Sequence, residues 1–481
     1  MIPAHAEAEK SINSVMAARE SILKKNILVI CIFSFLLFSC DTNSPREIPL
    51  FGNFWAIDFA NNNKFYRIDA DLIYSGDNCN IWAEKGRGIS REKAKEIADE
   101  YEIMYSKLVN KFSKQDFMYA GRTFPELTKF ADWLGNNDGK ICILLLDIKD
   151  NYKEGVNDAY IAGYFNPNDL LNNYYSNKRD MIYIDVFPGI NNMKELYNTL
   201  AHELQHLMNF ASSYISRQSG NSVYLLDTWV DEGLASAAEF VYSGEHSENR
   251  IHHYEEDRTG LLKRGNNFFV WNSRKNEHIN AVLDDYSTVY LFFHWLRLQA
   301  EADNNNDIFK NIIYSNNTNH SAVVNAVTGY SDWGTLLRDW MAANFIGSPT
   351  GRHGYHNDDR LNKLKINYAP AGITSFQLLP GEGIYSSLTG SFTPVDTGNL
   401  RYISLSSSGI NSIFSAASGN TLLTFNINTN IKDSAEIGAA TGSVPAVNIV
   451  PLNAGLLPSS SGAYRIDAGD LLNGDKIIFV P

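Results

Sequence analysis

From Met193 to Tyr214 the apolar residues Leu196, Leu200, Leu204, Leu207 and Met208 recur at helical spacing with no Pro or Gly between them. That periodicity predicts a helix with one face in a core. The same reading predicts helices over Ser90–Phe112, near Phe124–Leu134 and over Tyr286–Ala300. Ile141–Ile148 follows an Asn-Asn-Asp-Gly turn and reads as a buried strand, and Met181–Val186 reads as another. Thr228 and Asp231 have the spacing of a capping box, and good helix formers continue from Ala235 to Tyr242, predicting a further helix from Thr228. Asn-rich stretches at Ala302–Asp307 and Ser315–His320 mark loops.

The pattern changes at Gly347. A connector rich in Gly, Pro, Asn and Asp, residues 347–371, leads into residues 372–481, which are poor in charge and carry short alternating runs. Arg401–Leu405, Leu422–Ile427 and Lys476–Val480 are the clearest of these, and turn residues separate them. The expected architecture is therefore α+β over residues 51–346, a mixed sheet followed by a helical part, then a linker and a small all-β sandwich as an accessory domain.

His202-Glu203-Leu204-Gln205-His206 lies inside the first of these helices. Four residues advance a helix by about 400°, so both imidazoles leave one face about a turn apart and can bind one metal ion. Glu203 sits beside the first ring, where it can take a proton from a metal-activated water. Two imidazoles do not complete a zinc site, and Glu232, in the first turns of the next helix, is the favoured third ligand. Asp231 is its rival. Gly233 directly after Glu232 points to close backbone packing there.

His202–Phe210 and Trp229-Val230-Asp231-Glu232-Gly233-Leu234 resemble the hyicolysin family of gluzincin metallopeptidases. The resemblance extends over Asp138–Ile148, Gly163–Pro167, Asp180–Asp185, Tyr286–Phe293 and Trp340–Ala343, covering about residues 90 to 345. It implies a gluzincin-like catalytic domain and a zinc endopeptidase in which His202, His206 and Glu232 hold Zn2+ and Glu203 is the general base. It also implies that the mixed sheet lies above the active-site cleft. An edge near Ala162-Gly163-Tyr164 is then expected to pair with an extended protein or peptide substrate. Trp229-Val230-Asp231 departs slightly from the family's Trp-Leu-Asn pattern but leaves the glutamate in place.

An acyl-transfer site needs a donor for the developing oxyanion besides the metal. Tyr286 is the candidate and Tyr290, one turn on, the alternative. Metal-bound histidines usually donate their other N–H to an acceptor, and Glu239 or Asp231 can serve. His246, His252 and His253 fall in a charged, polar stretch and read as solvated loop residues, whereas His294 reads as a satisfied helix histidine.

Lys24-Lys25 precede an apolar run from Ile27 to Phe38 that is too short to span a bilayer but suits a signal-peptide core. Leu37-Phe38-Ser39-Cys40 resembles a bacterial lipobox, which implies removal of residues 1–39 and lipid attachment on Cys40. Residues 40–50 then form a tether, and the mature protein is expected outside the cytoplasm, anchored at the cell surface or in the periplasm. Cys79 and Cys142 remain, either as a disulfide or as buried thiols. With 41 basic and 54 acidic residues the net charge is −13, which argues against nucleic acid and against electrostatic attraction to anionic membranes. The expectation is a lipid-anchored zinc metalloendopeptidase. The competing one is a surface lipoprotein that keeps the fold and binds host or envelope material through its β module. The intact Glu203 favours the enzyme.

Overall fold

The computed structural model describes residues 50–113 and 139–429, except for the stretches 155–158, 171–173, 220–221, 266–267, 275, 279, 371–377, 389–397 and 412–418. Beyond 429 it describes only the residue pairs 436–437, 457–458 and 464–465. These residues belong to the unit that runs from Pro49 to Pro481. The signal segment, Cys40, the helix expected near Phe124–Leu134 and the strand expected over Lys476–Val480 lie outside the described residues.

The first part of the chain builds a six-stranded mixed sheet. Its strands are β1 (Phe51–Asp58), β2 (Lys64–Ser75), β3 (Cys79–Glu84), β4 (Ile141–Leu146), β5 (Gly163–Phe165) and β6 (Met181–Asp185), in the order β1-β2-β3-β4-β6-β5. The first three are antiparallel neighbours, β3, β4 and β6 run parallel, and β5 closes the sheet antiparallel to β6. Ile81, Ile143, Leu145, Ile182 and Ile184 join the main core. Trp82 and Tyr183 alternate to the opposite face. There Phe54 meets Trp82 edge-on at 5.1 Å, and Tyr164 stacks on Tyr183 at 4.1 Å. The Tyr164 hydroxyl accepts a hydrogen bond from the Ile57 N–H, so the β1–β2 hairpin curls back over that face. Burial on both faces explains the unbroken apolar runs of β4 and β6.

Helices cover the main-core face. α1 (Arg91–Phe112) starts where Ser90 accepts a hydrogen bond from the Lys93 N–H, and α2 (Met193–Ser216) starts where Asn192 accepts from the Glu195 N–H. The stripe Leu196, Leu200, Leu204, Leu207 and Met208 lies in the core as its period requires. Next come α3 (Thr228–Ser243), α4 (Glu248–Glu256), α5 (Val282–Ala302), α6 (Ile308–Ile313), α7 (His320–Ala326) and α8 (Trp333–Ile346). The helix expected at Tyr286–Ala300 is α5, which begins four residues earlier. The capping box expected at Thr228 does not form: Asp227 is the cap position, and the Asp231 carboxylate is drawn instead to partners on α2.

Gly347 ends α8 in the left-handed conformation. The connector after it packs tightly: Tyr355 and Leu361 are fully buried, Tyr355 donates to Asn344, and Arg360 pairs with Glu248 and Glu255. Four antiparallel strands follow, β7 (Gly383–Ser387), β8 (Leu400–Ser406), β9 (Gly409–Asn411) and β10 (Thr421–Asn426), in the order β7-β10-β8-β9. Tyr385, Leu405, Leu423 and Phe425 belong to the same core as the helices, and the Tyr385 hydroxyl donates to Met341 O on α8. These four strands form one sheet laid against α8. No described helix is long and apolar enough to cross a membrane.

Candidate metal centre

α2 and α3 bring the site together. His202, His206 and Glu232 are buried and each offers a ligand atom, all within 4.8 Å of one another. Glu232 Oε2 lies 3.3 Å from His202 Nε2 and 3.6 Å from His206 Nε2, and among the described residues it accepts no hydrogen bond. Two imidazole nitrogens and a carboxylate oxygen converging on one point form a donor set that suits zinc.

Each ring is held from behind. His202 Nδ1 lies 2.8 Å from Glu239 Oε1, and His206 Nδ1 lies 2.8 Å from Asp231 Oδ2. A carboxylate only accepts, so each Nδ1 carries the proton directed at it, which leaves each Nε2 facing the centre. Both acceptors left open by the sequence are therefore used, one per histidine. Asp231 stands outside this cluster: its other oxygen accepts from Asn209 Nδ2 at 2.6 Å, and Gln205 Nε2 donates to Asn209 at 2.8 Å.

The pocket favours positive charge. Burial alone lowers the affinity of His206 for a proton, but the Asp231 and Glu232 carboxylates outweigh it and raise its pKa well above the ordinary value. The same field draws a divalent cation. Glu203 is buried directly after His202 on α2.

Gly233 sets the distance between α3 and α5. A Cβ there would stand 2.2 Å from Phe293 Cε2, so only glycine lets the two helices meet beside Glu232. Gly163 does the same for the edge strand, where a Cβ would stand 2.7 Å from Thr199 Cγ2 on α2. The strand β5 and the helix carrying both histidines thus lie in direct contact.

Tyr286 is buried on α5 with Trp271 edge-on at 5.0 Å, and the Arg250 guanidinium lies 5.0 Å from its ring centre. Arg250 also donates to Glu239 at 2.7 Å, linking the tyrosine to the back of His202. No pattern in the sequence marks Arg250. Tyr290 is committed elsewhere: its oxygen accepts from the Ser247 N–H at 2.9 Å and lies 2.9 Å from His246 Nδ1.

The histidines expected in a solvated loop divide. His252 is exposed, but His246 pairs with Asp358 at 2.8 Å and His253 is buried against Asp284 at 2.7 Å. His294, expected to be satisfied, is buried with neither ring nitrogen hydrogen-bonded among the described residues, and burial pushes its pKa well below the usual value. Cys79 and Cys142 are buried thiols outside any disulfide. In the parallel register Cys79 pairs with Ile141 and Cys142 with Asn80, so the two side chains leave opposite faces and no disulfide joins them.

No family model matches the chain. A neutral metalloprotease of Staphylococcus hyicus, ShpI, is 30% identical over 334 residues, covering 66% of this chain and 69% of that protein. The chain belongs to this metalloprotease family. Its membership agrees with the three side chains that converge between α2 and α3.

Proposed function

We propose that this metalloprotease is a zinc-dependent endopeptidase of hyicolysin type, with His202, His206 and Glu232 as metal ligands and Glu203 as general base. The carrying observation is the convergence within 4.8 Å of two imidazole nitrogens, on the helix that also carries Glu203, and a carboxylate from α3. Bound there, zinc supplies the positive charge that acidifies a water and polarises a scissile carbonyl. Glu203 takes the proton of the attacking water and delivers it to the leaving amine. Glu239 and Asp231 keep the two imidazoles in the tautomer and orientation the site requires. Tyr286 donates to the developing oxyanion. β5, the last strand of the sheet and in contact with α2 through Gly163, offers its outer edge to an extended protein substrate.

The apolar run Ile27–Phe38 and Leu37-Phe38-Ser39-Cys40 support a lipid anchor on Cys40 and a place outside the cytoplasm. One comparison tests the enzyme: wild type and Glu203→Ala, each assayed for bound zinc and for hydrolysis of an unstructured protein such as casein. About one zinc in both and cleavage by wild type alone is expected. Equal cleavage, or zinc in neither, overturns the reading.

A further inference from the structure

The chain enters the fold on an aromatic face. Phe54 turns inward to Trp82, which leaves Phe51 and Trp55 of β1 on the other side of the hairpin, beside Phe65 and Arg67 of β2. Tyr175 stacks on Phe65 at 4.4 Å and meets Trp55 edge-on at 5.1 Å. Tyr174 packs against Tyr175 at 4.9 Å and against Trp55 at 6.2 Å. The Arg67 guanidinium lies 4.0 Å over Trp55 and the Lys85 ammonium 4.0 Å over Phe51. Of the large hydrophobic side chains left exposed among the described residues, Leu50 (77%), Phe51 (48%), Tyr174 (80%) and Tyr175 (41%) all lie on or next to this face. Single exposed apolar residues are ordinary, but a contiguous group is not.

We propose that this face rests in the headgroup layer of a lipid bilayer. The inference rests on the lipid anchor at Cys40. The ten residues Asp41–Leu50 separate that anchor from the patch. Ten residues reach at most about 35 Å when fully extended. The patch is therefore held close to the surface that holds the lipid. A short tether raises the effective concentration to about a millimolar, so a face too weak to bind alone is occupied when tethered. The chemistry suits the headgroup zone: rings with an apolar body and a polar tip, and cations stacked on them. Charge does not drive the contact. The chain carries −13, Asp71 pairs with Lys85, and Asp69 accepts from Asn53. The rings carry it.

The test uses the full lipidated chain in vesicles of phosphatidylethanolamine and phosphatidylglycerol. A fluorophore is placed by Tyr174→Cys and, as the control, by Asp303→Cys at an exposed helix end; Cys79 and Cys142 are buried and do not compete. The expected result is quenching of the 174 label by brominated lipid and loss of its access to aqueous iodide, with the 303 label unaffected. That shielding should persist in phosphatidylcholine vesicles and at high salt. An anchored chain whose two labels are equally open to iodide overturns the proposal while leaving the tether standing. Shielding of the 174 label without vesicles, growing with protein concentration, assigns the face to a second copy and also overturns it. If Cys40→Ser partitions with vesicles as the wild type does, the anchor reading falls and this inference falls with it.

Discussion

Asp231 Oδ2 lies 2.8 Å from Nδ1 of His206, and the residue next to Asp231 in sequence, Glu232, meets the same ring from its other nitrogen. Two consecutive carboxylates on α3 thus serve one imidazole from opposite sides. Their removal should separate cleanly. Asp231→Asn keeps the donor set but loosens the ring, and a zinc affinity lower by about 10–100-fold is expected in a chelator competition. Glu232→Gln removes the proposed carboxylate ligand and should leave little zinc bound at all. Equal zinc affinity in Asp231→Asn and wild type would show that the contact carries no weight.

Gly233→Ala places a methyl carbon into the Phe293 ring. Overpacking of this kind costs about 1–3 kcal/mol. A fall in Tm is expected, with partial recovery in Gly233→Ala/Phe293→Leu, read by thermal unfolding. Additive losses in the double variant would contradict the steric account.

Arg250 is fully buried and pairs with Glu239, which in turn holds His202. Removing one partner of a buried ion pair strands the other charge, at about 3–5 kcal/mol. Arg250→Met should therefore lower stability in denaturant titrations and also loosen zinc. Arg250→Met/Glu239→Gln should regain much of the stability without regaining zinc affinity, because no carboxylate then faces His202 Nδ1. Full recovery of both would mean that the pair is only structural.

The parts of this molecule that announce themselves in sequence are those whose cause is local. Ile141–Leu146 reads as a strand because parallel strands buried on both faces need apolar residues throughout. His202 and His206 share a helix turn, and Gly233 flags the close approach beside Glu232. Asp231 misleads because its local spacing proposes a cap while a distant imidazole outbids the backbone. His246 and His253 look solvated because their partners, Asp358 and Asp284, are remote in the chain. Arg250 and the curl of β1–β2 over Tyr164 have no periodic signature, since both depend on long-range contacts.

Asp169 is buried, and burial raises its carboxyl from 3.8 to about 7. A carboxyl raised in the fold binds its proton more tightly there than in the open chain. Its contribution to stability is therefore full below about pH 4 and is lost as pH rises through about 7, on the order of 4 kcal/mol in all. Asp150, also raised to about 7 chiefly by burial, acts in the same direction. Asp169→Asn should flatten the fall in Tm between pH 5 and pH 8. The neutral amide is tolerated because the Tyr183 hydroxyl, which donates to Asp169 at 2.6 Å, also lies 3.1 Å from Trp55 O and can donate there. An unchanged slope would place the titration elsewhere.

Tyr286 and Tyr290 sit one turn apart on α5, and their surroundings predict different losses. The Tyr290 hydroxyl already serves Ser247 and His246, so Tyr290→Phe leaves a backbone N–H and an imidazole without that partner. That costs about 1–3 kcal/mol of stability and should leave kcat near wild type. Tyr286 has its ring fixed by Trp271 and Arg250, and Arg250 leads through Glu239 to His202. Tyr286→Phe should lower kcat by about a hundred-fold with zinc content and Tm unchanged. Steady-state kinetics beside zinc analysis decide it, and the reverse pattern would move the oxyanion donor to Tyr290.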